Sequence, residues 1–216
     1  MKKILFLIII CQISCKGQEN CPEGINLLPK YGEVQKCKQQ IDSDIEFILD
    51  SQKKFGNNKK ASEYYVSKGW EYFYDNDDET SMKRFNQAWL LDDSNSQIYW
   101  GFGNLLGKSN KFEESIKYLK KSIEIDPNKS EVYESIAVSY GQLFYKTKDE
   151  KFLNLRIENL KKAMKIEPKN GRVLGELANS YAYVKQKDSL IKYVSKADEV
   201  DSKFVNPEVR KLAKKK

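Results

Sequence analysis

An all-α solenoid, a row of antiparallel helix hairpins stacked one on the next, is the fold this sequence predicts. A short phrase, in which a large aliphatic precedes an acidic residue and a turn, recurs four times: WLLDDSN (89–95), IEIDPNK (123–129), KIEPKN (165–170) and EVDSKF (199–204). Its aliphatics, Leu91, Ile125, Ile166 and Val200, are spaced by 34, 41 and 34 residues, the mark of a repeat array rather than one irregular core. Composition agrees: with 40% hydrophobic, 32% charged and 12% aromatic residues, the chain has too much apolar and aromatic side chain for disorder.

Taken in order, residues 1–15, MKKILFLIIICQISC, read as an export signal. Lys2 and Lys3 give the positive start, and Ile4 to Ile10 form an apolar core too short to span a bilayer. Two endings are open. Ile13-Ser14-Cys15 resembles a lipobox, which would make Cys15 the lipid-modified N-terminus of a bacterial lipoprotein, although Gln12 stands where Leu is usual. Alternatively, cleavage falls after Gly17 and leaves a soluble periplasmic protein starting at Gln18. The expected location is the bacterial envelope, the outer membrane if Cys15 carries lipid.

Of four cysteines, Cys21 and Cys37 remain under either ending. In an exported chain such a pair reads as one disulfide, worth roughly 3 kcal/mol in the chain-entropy model. A metal site is not expected, because two thiols without a single His do not complete a zinc shell. Residues 16–34, with Pro22, Gly24, Pro29 and Gly32, read as a tether or covering loop. A helix over 35–55 follows, with Ile41, Ile45, Ile48 and Leu49 at helical spacing, and is expected to cap the open end of the first hairpin.

The 34-residue phase frames four units: 62–95, 96–129, 130–170 and 171–204. Each first helix carries a Tyr or Leu and, four places on, a small residue: Tyr65 and Gly69, Tyr99 and Gly103, Tyr133 and Ala137, Leu174 and Ala178. Each second helix pairs a bulky apolar with a small residue three places later: Phe85 and Ala88, Leu119 and Ser122, Leu160 and Ala163, Val194 and Ala197. Helices in close contact need small side chains where their backbones approach and large ones beside them. Pro127 and Pro168 stop the second helices. Residues 205–216 read as a basic capping helix, with Asn206 as its cap, Pro207 in its first turn, and Val209 and Leu212 facing the last unit.

These residues resemble the tetratricopeptide repeat family over 62–204, which implies a right-handed superhelix with a concave inner face. Asp93 and Ser202 depart from the family's turn proline, and Ser81 and Ser115 from its alanine. The third unit is seven residues longer than the others, around Tyr145 to Phe152.

No catalytic residues and no cofactor are expected. The absence of His excludes the usual nucleophile and metal devices, and Gly101, Gly103 and Gly107 suit a close helix crossing better than a phosphate loop. The carboxylates Asp75, Asp77, Asp78 and Glu79 read as a solvated turn. Nor is nucleic acid expected as a partner. Without Lys2 and Lys3 the charge is 36 − 31 = +5, of which residues 208–216 hold 5 − 1 = +4, so the body is near neutral.

What the resemblance implies is binding: a non-enzymatic envelope adaptor holding a peptide or protein in its concave groove, with a self-associating structural protein, a homo-oligomer, as the alternative. The frame places Trp70, Phe73, Tyr74, Trp100, Asn104, Lys108, Gln142, Asn179 and Tyr183 toward that groove, rings to bury area and amides to meet a peptide backbone. A Lys–Asn clamp for a C-terminal carboxylate is not expected, because Trp100 and Gly175 stand where its lysines would.

Overall fold

The computed structural model describes residues 21–215, so the signal sequence and Cys15 lie outside the described residues. Those described are all-helical, and no helix among them is long and apolar enough to cross a membrane. Helix α1 (Lys38–Phe55) precedes four antiparallel hairpins: α2 (Asn58–Tyr74) with α3 (Asp78–Leu91), α4 (Ser96–Lys108) with α5 (Phe112–Ile125), α6 (Ser130–Thr147) with α7 (Glu150–Ile166), and α8 (Gly171–Tyr183) with α9 (Lys187–Asp198). Helix α10 (Pro207–Lys214) closes the array against α8 and α9. Successive helices pack in chain order and the first helices also touch one another, α2 to α4 and α4 to α6, as in a solenoid.

The large and small positions of the repeat meet as the crossing geometry demands. Phe85, Leu119, Ala88, Ala163 and Ala197 are fully buried. A Cβ added at Gly69 would stand 2.7 Å from Phe85 Cε1, and one at Gly103 would stand 2.5 Å from Leu119 Cγ, so both glycines admit a bulky residue of the partner helix. The serines that replace the family's alanine are buried and satisfied: Ser81 Oγ donates to the Gly69 carbonyl at 2.8 Å, across the first hairpin, and Ser115 Oγ shares a 3.0 Å hydrogen bond with Ser139 Oγ. The turn without proline is also closed. Asp92 Oδ1 accepts from the Ser94 amide at 3.0 Å, as Asp126 Oδ1 accepts from Asn128 before the next unit and Asp201 Oδ1 from Lys203 after the last.

The seven extra residues of the third unit are absorbed by helix. Unit two spends 13 + 3 + 14 = 30 residues on α4, turn and α5, and unit three 18 + 2 + 17 = 37 on α6, turn and α7. One residue in each hairpin turn is left-handed: Asn76, Asn110, Lys148 and Lys185.

The N-terminal region differs most from expectation. Residues 21–36 form a strap with two short 3₁₀ turns, Ile25–Leu27 and Pro29–Glu33, packed on α3. The fully buried Asn86 pins it, donating to the Asn26 and Leu28 carbonyls at 2.9 and 2.8 Å. Cys21 and Cys37 are bonded, with Cα atoms 5.1 Å apart, so the strap is fixed at both ends. Helix α1 begins three residues later than expected and turns another face inward. Phe47 packs on Tyr65 and Phe55 on Tyr64, with ring centroids 5.2 and 4.8 Å apart, while Ile41, Ile45 and Leu49 stay exposed. Tyr64 and Tyr65 offer rings at this face, and ring-to-ring contact adds to area burial an attraction that an aliphatic stripe lacks.

Candidate binding groove

The first helices present their inner faces to a groove of ≈ 580 Å³ that contains Trp70, Phe73, Tyr74, Trp100, Asn104, Lys108 and Gln142. Asn179 and Tyr183 line a second hollow of ≈ 620 Å³ beside the lengthened hairpin, and Gln142 and Arg156 border both. The nine expected residues are thus divided between two adjoining basins.

Within the first basin the aromatic residues form one wall. The rings of Trp70 and Trp100 lie 4.4 Å apart centroid to centroid, and Trp70 stacks on Tyr74 and meets Phe73 edge-on. Trp100 is also a structural pin. Its Nε1 donates to Ser135 Oγ at 3.0 Å, the one Ser135 hydroxyl proton is shared between Asn104 Oδ1 at 3.2 Å and the Glu131 carbonyl at 3.0 Å, and Asn104 Nδ2 donates to the Trp100 carbonyl at 2.9 Å. This closed circuit ties α4 to α6 and engages one donor and one acceptor of the Asn104 amide. Lys108 is engaged as well: its ammonium lies 2.5 Å from Asp78 Oδ1 and 4.8 Å from the centre of the Phe73 ring.

Charges missing from the expected set complete the floor. Glu134 is buried, accepts from Asn170 Nδ2 at 3.0 Å and pairs with Arg172 Nη2 at 2.6 Å. Burial pushes its carboxyl above the usual range, and Arg172 and Asn170 offset part of that rise. Arg156 pairs with Glu176 and donates through Nε to Ser180 Oγ at 3.0 Å. All three cations lining this basin, Lys108, Arg156 and Arg172, are therefore paired with carboxylates. Val138, 56% exposed, stands among them as an apolar knob. Glu134 holds the place in its unit that Trp100 holds in the second, and Val138 the place of Asn104, so the repeat frame contained both. Neither is a ring or an amide, the side-chain types that mark the other groove positions.

The clamp position at Gly175 is filled by the protein itself. Any side chain there would run into the Phe204 carbonyl, because the turn at Ser202–Phe204 folds over the start of α8. The acidic turn is employed structurally. Asp77 caps α3 by accepting from the Thr80 amide at 3.0 Å, which holds its carboxyl below the ordinary range, and Asp78 binds Lys108. No group of three or more His, Cys, Asp or Glu among the described residues is arranged to hold a metal.

Residues 96–129, the second unit, match the family model described as Tetratricopeptide repeat. Solved structures share the fold across most of the chain. The crystal structure of MamA is 16% identical, with 79% of this chain and 97% of that one covered at a TM-score of 0.58. TTC0263, a thermophilic tetratricopeptide repeat protein of Thermus thermophilus, is 14% identical, covering 70% and 79% at 0.57. YrrB, described as a tetratricopeptide repeat protein with an unusual peptide-binding site, is 15% identical, covering 77% and 84% at 0.54. No curated protein matches the chain significantly. The architecture is that of a tetratricopeptide repeat array.

Proposed function

We propose that this array is a non-enzymatic scaffold of the bacterial envelope that holds an extended, largely apolar peptide or protein segment in its concave groove. The observation that carries the reading is the pairing of the groove's cations around an aromatic wall and an exposed valine. A groove whose cations are all paired, with Glu131 as a lining carboxylate outside those pairs, offers little to an anionic ligand. It offers ring and methyl surface to an apolar one, whose burial contributes ~25 cal/mol per Å². That YrrB carries a peptide-binding site supports the reading, and so do the amides bordering the second basin.

Val138→Arg gives the cleanest test, because the side chain is exposed and the substitution leaves the helix core untouched. Partner recovered by pull-down with the wild type should be lost with Val138→Arg and reduced with Trp70→Ala. Equal recovery from folded Val138→Arg protein would rule the groove out.

The envelope assignment rests on the apolar N-terminus and on the bonded Cys21–Cys37 pair, which suits an oxidising compartment. With lipid at Cys15 the array would stand within a few residues of a membrane. The intact mass of protein recovered from cells tests this: an acylated chain starting at Cys15 is expected, and an unmodified chain starting at Gln18 would replace the anchor with a free periplasmic form.

A further inference from the structure

One edge of the solenoid carries a feature that extends beyond the groove. The three most exposed large hydrophobic side chains among the described residues are Tyr145 (72%), Tyr74 (71%) and Tyr183 (63%). Tyr74 and Tyr183 are the last residues of α2 and α8, and Tyr145 lies two residues before the end of α6. All three therefore stand along the edge formed by the turns within the hairpins. The helix that carries Tyr145 is 18 − 13 = 5 residues longer than its counterpart in the second unit. Exposed tyrosines supply large contact area with a polar handle, as protein interfaces require.

Opposite charges occupy the two ends of this edge. Asp75, Asp77, Asp78 and Glu79 stand with Lys108, which is paired to Asp78, so this end of the edge is acidic at 1 − 4 = −3. At the far end Lys185 and Lys187 of the last turn are joined by Lys214 and Lys215, because the Lys187 ammonium donates to the Lys215 carbonyl and draws the end of α10 to the same edge. Counting Asp188, that corner holds 4 − 1 = +3.

We propose that two copies of the chain associate through this edge in antiparallel fashion, the acidic turn of each against the basic corner of the other. A uniformly acidic or uniformly basic partner would be repelled at one end. A second copy related by a two-fold axis satisfies both ends at once, because the same contact is made twice. The tyrosines between the poles would supply the buried area, leaving the floor of the groove open.

Sedimentation velocity of the full chain in mild detergent tests this, with charge reversals at single poles: Asp75→Lys with Glu79→Lys, and Lys214→Glu with Lys215→Glu, which leave the Lys187 ammonium on the Lys215 carbonyl. None of these four side chains caps a helix or lines the groove. The wild type should sediment as a dimer at low salt and dissociate as salt rises. Each reversed variant alone sets like charge against like and should associate about tenfold or more weakly. An equimolar mixture of the two variants should restore a dimer containing one of each, since one acid–base contact is then re-formed with its signs exchanged and the other joins the two unaltered poles. A wild type that is monomeric at low salt, or dimers of the separate variants as tight as the wild type, would overturn the proposal. So would a mixture of folded variants that stays monomeric. Binding of a peptide in the groove is read separately through Val138→Arg, so either inference can fail without the other.

Discussion

At the residue scale, two glycines of one helix have opposite tasks. A Cβ at Gly101 would lie 2.5 Å from Cε1 of the fully buried Phe85, so Gly101→Ala must displace a ring that has nowhere to go. The expected cost is about 1–3 kcal/mol. At Gly107 an added Cβ would meet Ser115 Oγ at 3.5 Å, an ordinary contact, and Gly107→Ala should stabilise by roughly 0.5–1 kcal/mol through the helix preference for alanine. Urea denaturation of both variants checks the pair, and equal effects would mean that Phe85 relaxes freely. The sequence identified these glycines as crossing residues from their spacing. Which of them is filled by a neighbour depends on a ring from the preceding hairpin, and spacing within one helix contains no such information.

Glu134 is a second case, and its effect runs with pH. Its folded carboxyl titrates above the ordinary range, chiefly through burial, so the folded chain binds that proton more tightly than the unfolded chain. The resulting stability is fully present below the ordinary carboxylate range and is lost as pH rises through the raised value. Glu134→Gln removes the ionisation. Melting temperature measured against pH should therefore fall for the wild type relative to the variant across the mildly acidic window, whereas parallel curves would mean that Arg172 and Asn170 cancel the burial.

At the scale of the element, the long third hairpin was legible as seven extra residues but not as longer helices, since a loop would satisfy the same count. Lys148 decides between them. It caps α6 in a left-handed conformation at φ 60°, two residues from the start of α7, so the helices run almost to the tip. A lysine in that conformation costs about 1–2 kcal/mol relative to one with right-handed dihedrals. Lys148→Gly should therefore raise stability by up to about 1 kcal/mol, after the entropy that glycine gains in the unfolded chain. An unchanged or lower denaturation midpoint would show that the lysine's position over the Tyr145 ring, at 4.3 Å, outweighs the backbone strain. The orientation of α1 was not legible at all. Two faces of that helix carry apolar residues, and the choice fell to Tyr64 and Tyr65 of α2, which offer rings to Phe47 and Phe55.

For the whole molecule, the determining property is that the core is serial. One buried cluster joins α2, α3 and α4, a second joins α5 and α6, and a third runs from α6 to α10. In such an array each unit feels mainly its neighbours, so damage at one end should remain there. The Cys21–Cys37 bond provides the test, because it closes the strap at the end farthest from α10. Opening it in a Cys21→Ser, Cys37→Ser chain frees a loop of 16 residues' separation and should cost roughly 3 kcal/mol at that end. Hydrogen exchange should then quicken in the strap, α1 and the first hairpin, where Asn86 would lose its hold on the Asn26 and Leu28 carbonyls, and stay unchanged in α8 and α9. Uniform acceleration along the chain would mean that the three clusters melt as one. The strap would then be a strut for the entire groove, and its disulfide would govern binding as well as local order.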